Sequence, residues 1–145
     1  MKRLLIITDS IAAIILILLL YAAITKLADH DRFEDALRMS PLLTRYATLF
    51  AWGLPAIEIV IALLLFIPEF RLKGLYASLI LLTSFTIYLF YMISFSPQLP
   101  CNCGGLLTGL TWRQHILLNI FFVLLSISGI YSYRRYKLLL STGPP

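Results

Sequence analysis

The sequence predicts an all-α integral membrane protein, an antiparallel up-down bundle of four helices joined by short loops. Three observations predict it. Hydrophobic residues make up 60% of the 145-residue chain and charged residues only 13%, against roughly a quarter charged in ordinary soluble domains. A soluble chain of this length buries only about 70% of its surface on folding, so the surplus apolar surface must face lipid. The apolar residues also gather in four runs, each near the ~20 residues that a helix needs to cross a bilayer core. Four such crossings use roughly 80 residues and leave no room for a separate soluble domain. A soluble enzyme, a nucleic-acid-binding module and a disordered chain are all excluded.

The first run goes from Leu4 to about Leu27 and is opened by Lys2 and Arg3. A positive start before an apolar stretch is also the plan of a signal peptide. This run is long enough to span, so it reads as the first transmembrane helix. Residues 28–45 form a polar loop of mixed sign, with Asp29, Asp31, Arg32, Glu34, Asp35, Arg38 and Arg45. Within it Phe33, Leu37 and Leu42-Leu43 supply a short amphipathic segment at the interface.

The second span covers about 46–67 and the third about 72–95. Pro68-Glu69-Phe70-Arg71 between them is too short for anything but an antiparallel turn. A loop over 96–110 carries both cysteines. The fourth span covers about 111–133, and Thr111-Trp112-Arg113-Gln114 fits a capping box at its start. Residues 141–145 read as a disordered tail. The whole chain, 1–145, is expected to form one transmembrane domain. Tyr46, Trp52, Trp112, Tyr131 and Tyr133 sit near span ends, as aromatic belts do.

A net charge of +5 raises nucleic acid as a partner, but the basic residues are scattered at span ends with no basic face. Their distribution orients the chain instead. The termini and the turn between spans two and three hold Lys2, Arg3, Arg71, Lys73, Arg134, Arg135 and Lys137. The opposite side holds Lys26, Arg32, Arg38, Arg45 and Arg113. The positive-inside rule then puts both termini in the cytoplasm and the cysteine loop outside. In a bacterial inner membrane, outside is the oxidising periplasm.

The cysteine loop reads Pro100-Cys101-Asn102-Cys103-Gly104-Gly105. A bridge across one intervening residue closes a tiny loop and so stabilises almost nothing. Strained, exposed bridges are the labile and catalytic ones. Gly104 and Gly105 free the backbone to turn and offer N–H groups, and the fourth helix's start adds partial positive charge. Arg113 and His115 can add more, which lowers a thiol pKa. Cys101 and Cys103 are therefore the candidate catalytic pair. The alternatives are soft metal ligands or idle thiols. With His30 and His115 as the only histidines, a metal site lacks ligands, and no metal is expected.

Glu58 lies near the middle of the second span, where an unpaired carboxylate is expensive and marks a site by default. It reads either as a proton or quinone contact or as a protonated acid bonded to another helix. His115 and Asn119 are four apart and share one helix face. They read as a proton-moving imidazole or as interhelical hydrogen-bonding groups. Lys26, at the outer end of helix one, reads as a snorkelling lysine. Asp9 reads as a partner for Lys2 or Arg3.

Taken together, these residues resemble the MauE/DoxX family of redox-associated membrane proteins over about residues 10–130. The resemblance rests on Thr25-Lys26-Leu27 closing helix one, Phe33 soon after, and Pro55 three residues before Glu58. It is completed by Cys101-x-Cys103-Gly ahead of a last helix carrying Asn119. Gly105 departs from it, standing where many relatives place an aromatic. The resemblance implies a four-helix bundle. Its MauE side implies maturation of a disulfide-rich periplasmic enzyme subunit beside a thioredoxin-like partner. Its DoxX side implies thiosulfate or quinone oxidoreduction.

The expected function is a membrane thiol–disulfide redox component using Cys101 and Cys103. Glu58, Arg113, His115, Asn119 and Lys26 would support it as a proton or quinone site. Beyond the bilayer, the expected partners are a thioredoxin-like periplasmic protein and other membrane subunits. The only candidate cofactor is a quinone. The alternative is a non-catalytic subunit or scaffold of a larger envelope complex.

Overall fold

A computed structural model describes residues 2–95 and 112–142. The expectations for Cys101, Cys103, Thr111 and residues 143–145 fall outside the described residues. Five helices follow in order: α1 (Lys2–Ala28), α2 (His30–Arg38), α3 (Ala47–Phe66), α4 (Arg71–Phe95) and α5 (Trp112–Ser141). All but α2 are long and apolar enough to cross a membrane.

Local chemistry sets the breaks. Residues 28–45, expected as a polar loop, hold α2, and a short 3-10 turn follows over Thr44–Tyr46. That turn is held by Thr44 Oγ1, which donates to the carbonyl of Arg38 at 2.9 Å. The chain leaves α3 at Ile67 in an extended conformation, φ −81° and ψ 117°. The following Pro68 disfavours a helical residue before it. Pro55 lies inside α3 and cannot donate to the carbonyl of Ala51, a gap that helices inside membranes tolerate.

The four long helices close a ring. α1 packs on α3 and α5, α4 packs on those same two, and α1 and α4 meet lightly across the ring, while the backbones of α3 and α5 stand further apart. Since α1 and α4 begin at one end and α3 and α5 at the other, the four main pairs around the ring are antiparallel, an all-α up-down membrane bundle. α2 lies on α3 and, more lightly, on α1. Ile11, Ile15, Ile61, Leu65, Leu75 and Ile130 fill the ring where α1 begins. Ile17, Leu49, Phe66, Ile80 and Leu117 are exposed on the outside, which is where lipid tails stand.

Small residues set the helix spacing. A Cβ on Gly74 would lie 2.9 Å from the backbone nitrogen of Leu65, so only glycine permits this approach of α4 to α3. The buried hydroxyls of Thr8, Ser78 and Ser126 each donate to a carbonyl of their own helix, so none is stranded in the apolar interior.

Two expectations are corrected. Asp9 pairs not with Lys2 or Arg3 but with Arg71 at the start of α4, because α1 and α4 begin at the same end of the ring. α5 does not stop at Tyr133 but continues to Ser141, so Ser141 is helical rather than part of a tail. Arg, Lys and Leu are good helix formers, and the Arg135 guanidinium sits 5.8 Å from the Tyr131 ring.

Candidate functional site

The four helices part at the end where α1 and α4 finish. Between them lies a cavity of about 250 Å³. Leu18, Leu19, Ala22 and Lys26 of α1 form one wall, and Phe50, Leu54 and Glu58 of α3 the next. Ser84, Phe85, Tyr88 and Leu89 of α4 and His115 and Asn119 of α5 complete the ring, with Phe33 and Leu37 of α2 lying across it.

The polar centre of this wall is an ion pair. Lys26 Nζ donates to Glu58 Oε1 at 2.6 Å, with the lysine side chain 8% and the glutamate 1% exposed. Lys26 is thus not a snorkelling lysine. The second span brings a carboxylate to its own depth, and two charges taken out of water must find each other or cost several kcal/mol apiece. The Phe85 and Phe33 rings flank the ammonium, with centroids 5.5 and 5.8 Å away, and their faces favour a cation. Glu58 Oε2 is buried and has no hydrogen-bond partner among the described residues. The pair thus stands in the wall of an otherwise apolar space, with one carboxylate oxygen enclosed in the protein.

A clamp on α3 holds α2 over the cavity. Glu34 Oε1 accepts from Arg38 at 2.6 Å and from Thr48 Oγ1, on α3, at 2.7 Å. Thr48 and then Arg38 hold the Glu34 carboxyl below its usual value. The His30 ring lies over Trp52 with centroids 4.3 Å apart, and its Nε2 is 3.7 Å from Glu34 Oε2.

Of the residues singled out in the sequence, Lys26, Glu58, His115 and Asn119 all line this cavity, brought from three helices. Arg113 does not line it and is exposed. Cys101 and Cys103 lie outside the described residues; the described chain on either side of them ends with α4 and begins again with α5, both at the cavity's end of the ring. Sequence reasoning missed Phe50, Phe85, Ser84 and Tyr88. The one available signal was the four-residue spacing of Ser84 and Tyr88, which puts both on one face of α4.

No curated protein and no solved structure matches the chain. The sequence model of one family does match: that described as methylamine utilisation protein MauE, over residues 1–132. The match begins before α1 and ends within α5, taking in every residue of the cavity wall. It names MauE and not DoxX. With nearly the whole chain matched, this multi-pass membrane protein belongs to the MauE family.

Proposed function

We propose that the protein is a thiol–disulfide redox component of the bacterial inner membrane, working through Cys101 and Cys103 at the periplasmic face. The family's name ties MauE to methylamine utilisation, and the proposed role is the maturation of disulfide-bearing envelope proteins. The observation that carries the reading is where the buried polar groups lie. Lys26, Glu58, His115 and Asn119 meet at the end of the ring where α4 stops before the cysteine segment and α5 starts after it.

The charge distribution supports the orientation. Lys2, Arg3, Arg71, Lys73, Arg134, Arg135 and Lys137 stand on the side of the termini, against Lys26, Arg32, Arg38, Arg45 and Arg113 on the other. Each side has one cation in an ion pair between helices, Arg71 with Asp9 and Lys26 with Glu58, so the excess is unchanged and supports both termini in the cytoplasm.

In the proposed exchange a cysteine thiolate attacks the disulfide of a thioredoxin-like partner. One partner sulfur leaves as thiolate while a mixed disulfide forms. The second cysteine then attacks that mixed bond, closing Cys101–Cys103 and releasing the partner as a dithiol. Two electrons pass to the partner, and the reverse sequence passes them back. A quinone also fits, because the cavity is apolar and flanked by aromatic rings, with the Lys26–Glu58 pair in its wall. When bound, a quinone would supply a two-electron, two-proton acceptor for the dithiol. Lys26 and Glu58 would orient its head, and α2 would keep water from it.

A thiol redox titration of Cys101 and Cys103 in native membranes, read by alkylation mass shift, tests the reading. A reversible two-electron transition between about −100 and −250 mV is expected, the range of catalytic dithiols. Cys101→Ser or Cys103→Ser should trap a mixed disulfide with a periplasmic partner. A bond that resists reduction below about −300 mV, or full maturation in the double serine variant, would make the chain a scaffold subunit instead.

A further inference from the structure

The cations at the two ends of the ring are used differently. Where α1 and α4 finish, Lys26, Arg32 and Arg38 each have a carboxylate, on Glu58, Asp29 and Glu34. Where they begin, Arg71 has Asp9, while Lys73 lies against the Phe70 ring and Arg135 against the Tyr131 ring. Arg134 and Lys137, at that same end, have no ion-pair partner among the described residues. Both line one open notch of about 400 Å³ between α4 and α5, with Leu72, Tyr133, Leu138 and Ser141. We propose that this notch binds the headgroup phosphate of an anionic phospholipid, in the leaflet on the side of the termini.

Depth comes first. The 30 residues of α5 rise about 45 Å, against a hydrocarbon core of about 30 Å, so the helix must stand out of the core. Gly129 packs beside Leu75, which sets Tyr133 about level with Leu72, near the start of α4. Lys137 and Ser141 then rise one and two turns past that level. The turn before α4 exposes backbone that cannot sit among lipid tails. The notch therefore lies at the membrane interface, where lipid phosphates stand.

Chemistry comes second. Arg134, Lys137, Leu138 and Ser141 fall at i, i+3, i+4 and i+7, on one face of α5. The notch thus joins two cations to the apolar side chains of Leu72 and Leu138 and the Tyr133 ring. That is the complement of an anionic amphiphile. A guanidinium fork matches two phosphate oxygens, and Lys137, one turn along, adds a point charge. Ser141 Oγ already donates to the carbonyl of Leu138, so the two cations carry the binding. No described carboxylate lines the notch. A zwitterionic headgroup brings its own ammonium into that positive field and loses there what its phosphate gains. A headgroup of net negative charge does not, and basic pockets between membrane helices hold such lipids.

The test is native mass spectrometry of the full chain, with phosphatidylglycerol and phosphatidylcholine of identical chains supplied in equal amounts. Each basic residue at an anionic surface contributes several-fold, so the retained adduct should favour phosphatidylglycerol at least about tenfold. Arg134→Gln with Lys137→Gln should abolish the preference. Lys73→Gln with Arg135→Gln removes the same charge from the same end, yet should keep it. Leu138→Glu leaves both cations in place but sets a carboxylate among them, and should lose the preference as well. All five side chains are exposed, so the bundle keeps its packing in every variant.

Equal retention of the two lipids by the unmodified chain overturns the proposal. So does an equal loss in the two double variants, which would make the preference a matter of net charge. Glycerol 3-phosphate in excess carries the phosphate without the chains and should leave the lipid adduct in place. Displacement would assign the notch to a soluble phosphate and overturn the lipid reading. Neither the cysteines nor the cavity at the other end enters this measurement, so it and the redox reading can each fail alone.

Discussion

Where α1 and α4 begin, α4 comes so close to α3 that Gly74 has no room for a methyl group. At the other end the same helices stand apart around about 250 Å³ of space. The two ends also differ in their ion pairs. Asp9 and Arg71, at the closed end, have side chains 45% and 15% exposed. Lys26 and Glu58, at the open end, are 8% and 1% exposed. In a membrane no hydrophobic force draws helices together, so close packing of small residues must hold the bundle. That task falls to the closed end. The open end is thereby free to keep a buried charge pair and an unfilled space, both of which weaken a bundle.

The largest effect expected from this contrast lies in the buried pair. Glu58→Ala strands the Lys26 ammonium in an apolar wall, and breaking such a pair costs about 3–5 kcal/mol. Replacing both partners by methionine should return most of that, since apolar replacements of buried pairs are often neutral or stabilising. Thermal unfolding in detergent micelles measures both variants. If the single and double variants unfold together, the two charges are not coupled and the open end is not organised by them.

Packing at the closed end gives the next effect, and its two glycines should separate. Alanine gains up to about 1 kcal/mol of helix propensity over glycine. At Gly74 the added carbon meets backbone at 2.9 Å, which cannot give way, and overpacking of about 1–3 kcal/mol follows. At Gly129 it meets the Ile11 Cγ2 at 3.0 Å and Leu75 side-chain carbons beyond. The Ile11 Cγ2 is a β-branched methyl with a stiff χ1, but a side chain shifts by a few tenths of an ångström more readily than backbone, so Gly129→Ala should lose less than Gly74→Ala. The same unfolding assay checks the pair. Equal losses would mean that α5 is held as rigidly as the α3–α4 contact.

The half-buried pair should matter less. Asp9→Asn keeps a polar partner for Arg71 at a position where the Asp9 side chain is 45% exposed, so its loss should stay nearer the ~1 kcal/mol at the top of the range for exposed pairs. Arg71 keeps its hydrogen bond to the carbonyl of Leu65. A loss equal to that of Glu58→Ala would erase the distinction between the two ends.

How far this was legible from the sequence divides along the same line. Glu58, His115 and Asn119 stood out because each is polar in an apolar run, where an uncompensated group is costly. The bundle itself followed from run lengths. Partnership did not, because Lys26 and Glu58 are 32 residues apart, and Asp9 and Arg71 are 62 apart. Nothing in the chain says which helices adjoin. The aromatic wall was hidden for another reason. In lipid a residue facing a cavity and one facing tails are both apolar, so Phe85 carries no mark that Phe90 lacks.

The smallest expected effect concerns α2, which joins the open end to water. Its Glu34 carboxyl is held below the usual glutamate value, chiefly by the hydrogen bond from Thr48 and then by Arg38. Thr48 is on α3 and bonds Glu34 only while α2 lies there, whereas Arg38 is on α2 itself and stays within reach. The carboxyl value is therefore lower in the docked state than in the undocked helix. Docking gains its full support from Glu34 above the undocked value and loses it as pH falls through the docked one. Amide-exchange protection of α2 should decline over that acidic range while α1 and α4 stay protected. His30 faces the same carboxylate, so the response must be assigned by substitution. Glu34→Gln should already show the weakened protection above that range and lack the acid response. If the response persists in that variant, Glu34 is not the group that titrates. The cover over the open end would then rest on the His30–Trp52 contact, and Trp52→Leu rather than acid would be the way to release it.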